Sequence, residues 1–91
     1  MTVITEKVLD ELLDYLEKSI NNLAKESFEN LELEGGFQGV QNFLDNQFDI
    51  RLENLLVAKK SSTHHLESGI KNKIIQRKAK IMNDIAKEYQ N

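Results

Sequence analysis

The chain has 91 residues, with 12 Lys+Arg, 15 Asp+Glu and a formal net charge of −3. That length holds one small domain, and 40% hydrophobic with 30% charged residues describes a globular chain, not a disordered one. Cysteine is absent, which excludes a disulfide scaffold, a thiolate zinc site and a cysteine nucleophile; proline is also absent and glycine numbers only 4, so an architecture of many short strands is excluded too.

Residues 5–31 read as one long helix. Thr5 is placed to cap it, with Ile4 stapling onto Leu9. Val8, Leu9, Leu12, Leu13, Leu16, Ile20, Leu23 and Leu31 recur at helical spacing. Asp10, Asp14, Glu17, Lys18, Asn21 and Lys25 occupy the other face, where Asp14 and Lys18 form an i,i+4 pair. Such a helix is ~40 Å long at ~1.5 Å per residue. A sphere of this chain length is only ~30 Å across. A rod-like hairpin or bundle is therefore expected.

Leu33-Glu34-Gly35-Gly36 breaks the helix, because adjacent glycines accept positive φ. A second helix is predicted over residues 37–60. Phe37, Val40, Leu44, Phe48, Leu52 and Leu55 form one apolar stripe, and Phe43, Ile50 and Val57 form another. The two stripes lie ~120–140° apart around the helix, so this helix needs two neighbours. Arg51 falls within the first stripe and requires a partner, expected to be a carboxylate of the acidic first helix.

Ser61-Ser62-Thr63 is a cluster of cap formers that breaks or kinks the chain. Whether the second and third helices are one bent helix stays open at this point. A third helix is predicted over residues 64–89. Ile70, Ile74, Ile81 and Ile85 form its core stripe, widened by Ile75, Met82, Ala86 and Tyr89. Gly69 weakens its start by roughly 1 kcal/mol relative to Ala. Charge is segregated along the chain: residues 1–34 carry −6, residues 35–58 carry −2 and residues 59–91 carry +5. An acidic first helix and a basic last helix attract when packed side by side.

Chemistry-bearing clusters are sparse. His64, His65 and Glu67 have metal-ligand residue types, but adjacent helical histidines point about 100° apart, so no metal site is assigned. Gly35-Gly36-Phe37-Gln38-Gly39 lacks the lysine and preceding strand of a phosphate-binding loop. The carboxylates recur on solvated helix faces, with no pair set apart for acid–base work. No catalytic residue and no cofactor is expected, and the protein is read as a non-enzyme. The longest apolar run, Leu55-Leu56-Val57-Ala58, is far short of a membrane span. Glu6 and Lys7 interrupt the start before an apolar leader accumulates, so a cytoplasmic location is expected, with leaderless export left open.

Two functional readings follow. The doubled stripes leave Phe43, Ile50, Val57, Ile75 and Met82 as a candidate partner interface, for a second copy (a homodimer) or another helical protein. A phage or plasmid inhibitor, an antitoxin or an immunity protein works through the same kind of surface, and small size with many Asn residues suits a mobile element. The alternative is nucleic-acid binding through the stripe Lys73, Arg77, Lys80 and Lys87, with Lys59, Lys60, Lys71 and Lys78 nearby. Against it stand the acidic chain, the absence of interleaved aromatics and the interruption at Asp84.

The stretch Leu33-Glu34-Gly35-Gly36-Phe37-Gln38-Gly39-Val40-Gln41-Asn42-Phe43 resembles the turn of the WXG/LXG-type (ESAT-like) helical hairpins of type VII secretion. Leu33-Glu34-Gly35 stands where the family has Trp-x-Gly, close to the Leu-x-Gly form of related toxin-targeting domains. Phe37, Val40, Phe43 and Phe48 follow at the expected spacing. The resemblance covers roughly the first sixty residues. The family's C-terminal export signal, a Tyr followed four residues later by an acid, has no counterpart after Tyr89. The resemblance implies a helical hairpin that pairs with a second helical protein, with Leu33 and Phe37 plugging its end, and no catalysis. The combined expectation is one all-α domain over residues 1–91: an antiparallel hairpin or three-helix bundle with a long first helix, dimeric, acting by protein–protein contact.

Overall fold

A computed structural model describes residues 5–29, 35–59 and 67–89. All three segments are helical: α1 (Glu6–Glu29), α2 (Gly36–Ala58) and α3 (Ser68–Tyr89). The principal extents of 44 × 20 × 18 Å describe a rod, as the length of the first helix requires. Thr5 caps α1 as expected: its Oγ1 accepts from the Val8 N–H at 3.2 Å and its carbonyl from the Leu9 N–H at 2.9 Å. Ile4 and Leu31, the remaining parts of that expectation, lie outside the described residues.

Gly35 and Gly36 both have positive φ, at 86° and 79°. That region costs a side-chain-bearing residue roughly 1–2 kcal/mol, so the Gly-Gly pair is what lets the chain enter α2 here. Leu33 and Glu34 lie outside the described residues. α2 ends where the Lys59 N–H is shared between the carbonyls of Leu55 and Leu56, at 3.2 and 3.0 Å. Glu67 is non-helical and precedes α3, so α2 and α3 are separate helices. α3 starts four residues later than the predicted His64. The reason is packing: the stripe that anchors α3 begins at Ile70, and Glu67, Ser68 and Gly69 before it are all exposed.

One apolar cluster joins the helices. α1 contributes Leu9, Leu12, Leu13, Leu16, Ile20 and Ala24; α2 contributes Val40, Leu44, Phe48, Leu52 and Leu56; α3 contributes Ile74, Ile81 and Ile85. Phe48 is fully buried and is the largest side chain in this core. No buried side-chain nitrogen or oxygen among the described residues lacks a hydrogen-bond partner. At one end of the rod Phe28 of α1 lies against Phe37 of α2, with ring centroids 5.6 Å apart, and stacks on Tyr89 of α3 at 4.4 Å and 11°. Phe37 thus meets Phe28, and Phe28 in turn meets Tyr89; Leu33, the other half of the expected plug, lies outside the described residues.

Candidate interaction surface

The basic stripe of α3 is turned toward acids of its own chain. Lys73 meets Glu6 at 2.9 Å, and Arg77 meets Asp14 at 2.9 Å and Glu17 at 3.2 Å. Asp14 thus pairs across the helix interface and not with Lys18. Lys80 pairs with Asp84 one turn along α3, at 3.3 Å, and Lys87 also has a partner. The hydrogen bond to Asp14 holds the Arg77 guanidinium above its already high pKa, against the opposing effect of burial. Lys73, Arg77 and Lys80 of this stripe thus each face a carboxylate of the same chain.

Lys78 does what the sequence does not disclose. It leaves the solvated face and reaches Asp45 at 3.0 Å and Asp49 at 2.9 Å on α2, with its ammonium 5.8 Å from the centre of the buried Phe48 ring. Burial disfavours its charge, but the hydrogen bonds it donates to Asp49 and Asp45 and their negative charge outweigh this and raise its pKa. Arg51 finds a different partner from the predicted first-helix carboxylate. It donates to the Ser19 hydroxyl of α1 at 2.7 Å and to Gln47 Oε1 at 3.4 Å. A hydroxyl suffices because Arg51 is only half-buried, so water still solvates the rest of the guanidinium.

What remains exposed and apolar is concentrated on one side. The large hydrophobic residues left exposed among the described residues are Tyr15, Ile50, Val57 and Ile75, at 59%, 52%, 59% and 63%. Ile50 and Val57 lie on the face of α2 opposite Phe48, at about 200° and 180° from it around the helix. Tyr15 precedes Ser19 by one turn, so it shares the side of α1 that meets Arg51 of α2. Ile75 precedes Lys78 by three residues, so it shares the side of α3 that meets Asp45 and Asp49 of α2. The exposed apolar groups therefore line the outer face of α2 and its two flanks. Of the five candidate interface residues, Ile50, Val57 and Ile75 are exposed, whereas Phe43 and Met82 are half-buried and pack against the core. Tyr15 is an addition that the sequence reading missed; alone on a charged helix, it breaks no apolar pattern.

The same face is poor in charge. Around Ile50 and Val57 the outer residues of α2 are Phe43, Asn46, Gln47 and Asn54, with one carboxylate, the half-buried Glu53, between them. The exposed carboxylates of α2, Asp45 and Asp49, are both held by Lys78. Depletion of charge around large apolar side chains is the composition of an interface centre.

Other features offer less. A groove open to solvent between α1 and α3 is lined by Asp10, Leu13, Lys73, Gln76, Arg77 and Lys80, and another at the aromatic end by Lys25, Phe28, Glu29, Glu88 and Tyr89. Burial and the neighbouring Glu88 and Glu29 raise the Tyr89 phenol above its ordinary pKa, so at neutral pH it stays uncharged against Phe28. Among the described residues no cluster of His, Asp or Glu is arranged to hold a metal ion; His64 and His65 lie outside them. No described helix is long and apolar enough to cross a membrane. Compared with known protein families, characterised proteins and solved structures, the chain matches none.

Proposed function

We propose that this protein is a non-catalytic helical interaction module that presents the outer face of α2 to a second helical chain. The observation that carries this reading is the pair Ile50 and Val57, each more than half exposed on the face of α2 opposite the core. The isolated three-helix unit leaves more than half of each side chain in water, so a covering partner stabilises by about half of the roughly 1.5–3 kcal/mol of full burial for each. The contact order supports an up–down–up bundle: Phe28 meets Phe37 and Ser19 meets Arg51 between α1 and α2, while Glu6 meets Lys73 and Phe28 meets Tyr89 between α1 and α3. In such a bundle α2 runs opposite to both neighbours, and its outer face is free along its length.

This reading agrees with what the resemblance to the WXG/LXG-type hairpins of type VII secretion implies, a helical hairpin that works by pairing. The positive φ values at Gly35 and Gly36 and the packing of Phe37 on Phe28 are the local features that support it. A cytoplasmic chain and an exported one can both use such a face. The test is the double substitution Ile50→Glu and Val57→Glu. It is expected to abolish assembly with the partner chain while circular dichroism keeps the helix content of the wild type. Assembly unchanged by both acids would overturn the reading.

A further inference from the structure

Resting on the reading of the α2 face, we infer that its occupant is an amphipathic helix of another protein that carries an Asp or Glu beside its apolar seam, and that this acid pairs with Arg51. Three side chains define the place. Ile50 of α2 and Tyr15 of α1 are each more than half exposed. Arg51 bridges the two helices between them: it follows Ile50 in α2 and donates to Ser19, one turn on from Tyr15 in α1. A helix that touches Tyr15 together with Ile50 therefore crosses the Arg51 guanidinium.

The company of Arg51 sets it apart from the other cations at the helix contacts. Arg77 meets Asp14 and Glu17, and Lys78 meets Asp45 and Asp49. The groups that Arg51 reaches, Ser19 and Gln47, are neutral. Its neighbours one turn away on α2 are Gln47, Phe48, Asn54 and Leu55, and those of Ser19 on α1 are Tyr15, Leu16, Asn22 and Leu23. None of these side chains is charged. Asp49 and Glu53, two residues to either side of Arg51, point about 160° away from it around α2. On the same side of α1, Glu11 and Glu26 lie two turns from Ser19, ~10 Å or more along the axis.

A guanidinium has five N–H donors, and Ser19 and Gln47 take one each. While the face is open, water accepts from the others. A covering chain removes that water, and a cation buried without a counter-charge costs more than covering one or two apolar side chains returns. A wholly apolar partner is therefore the wrong complement to this face. A carboxylate at the level of Arg51 accepts the free N–H groups as a forked pair and restores the balance. On the other flank of α2 no such demand arises, because Lys78 already has two carboxylates.

The probe is a phage-displayed library of helical peptides with leucine fixed at the a and d positions of a few heptads and the flanking e and g positions drawn from Ala, Gln, Glu and Lys. It is selected on the full chain, and clones are kept when the Ile50→Glu, Val57→Glu variant no longer binds them. These clones are expected to carry glutamate at one flanking position well above its share in the library. In the synthetic peptide, exchanging that glutamate for glutamine should weaken binding to the wild type about tenfold. The same exchange should change binding to Arg51→Met, which keeps the apolar stem, by no more than about twofold. The exchange on the peptide leaves this protein untouched, so its effect on the wild type owes nothing to misfolding. Selection on Arg51→Glu should favour lysine at that position. Clones without a preference for glutamate, or a loss of equal size on Arg51→Met, would overturn the pairing with Arg51 and leave the reading of the α2 face standing. If no clone depends on Ile50 and Val57, the reading of the α2 face fails, and the pairing fails with it.

Discussion

Replacing Lys78 with Met removes the charge that ties α3 to α2 and keeps most of the buried stem. The Lys78 side chain is 23% exposed, whereas Asp45 and Asp49 are 51% and 59% exposed. Once released, both carboxylates return to water at little cost. Each bridge is then worth about 0.2–1 kcal/mol after solvent screening, and the ammonium near the Phe48 ring adds about 0.5–1 kcal/mol. The expected loss is about 1–3 kcal/mol, and each kcal/mol lowers the melting temperature of a domain this size by about 4–8 °C. The pH dependence follows from linkage. The folded-state pKa of Lys78 is raised above its ordinary 10.5. Its contribution is therefore complete below pH 10.5 and is lost as pH rises through the raised value. Urea unfolding followed by circular dichroism should give the same Lys78→Met deficit at pH 6 and pH 9, shrinking only in stronger alkali. No deficit at pH 7, or one that disappears between pH 6 and 9, would refute the assignment of Lys78 as the α2–α3 tie.

Other outcomes follow from the same packing. Phe48→Ala opens a cavity at the centre of the core and should cost about 3–5 kcal/mol, a large share of the roughly 5–13 kcal/mol that a chain of this length has in total; thermal melting measures it. Gly35→Ala should cost about 1–2 kcal/mol through its positive φ alone, because an added Cβ meets only Gly39 Cα at an ordinary 3.8 Å. Thr5→Ala removes the cap of α1 and should cost about 1 kcal/mol, visible as faster amide exchange in the first turn of that helix. Ile50→Glu with Val57→Glu should leave the stability of the isolated chain within about 0.5 kcal/mol, measured by urea unfolding.

The helices and their buried faces were legible because helical periodicity is a local property. Each stripe predicted for the core of α1 and α3 can be read without knowing what it packs on. The doubled stripe of α2 was legible for the same reason, and with it the exposed positions Ile50 and Val57. What depends on the register between helices was not. Asp45 and Asp49 look like solvated acids until α3 is placed beside them and Lys78 is found to reach both. An arginine in an apolar stripe needs a partner, but choosing Ser19 over a carboxylate requires the level at which α1 crosses α2. Phe43 and Met82 look as apolar as Ile50 and Ile75 in sequence, and only the placement of neighbouring helices half-buries the first two. The start of α3 was misplaced because cap-forming residues mark where a helix can begin, whereas core contact from Ile70 onward decides where it does.

A photo-reactive amino acid at position 50 or 57, in the cells that make the protein, examines the α2 face under working conditions. Irradiation is expected to join these positions to a second polypeptide, while position 21, exposed on α1 and in line with Asp14 on the side that faces α3, stays unjoined. A uniform low yield at all three positions would contradict the claim that the outward side of α2 is where this molecule meets its partner.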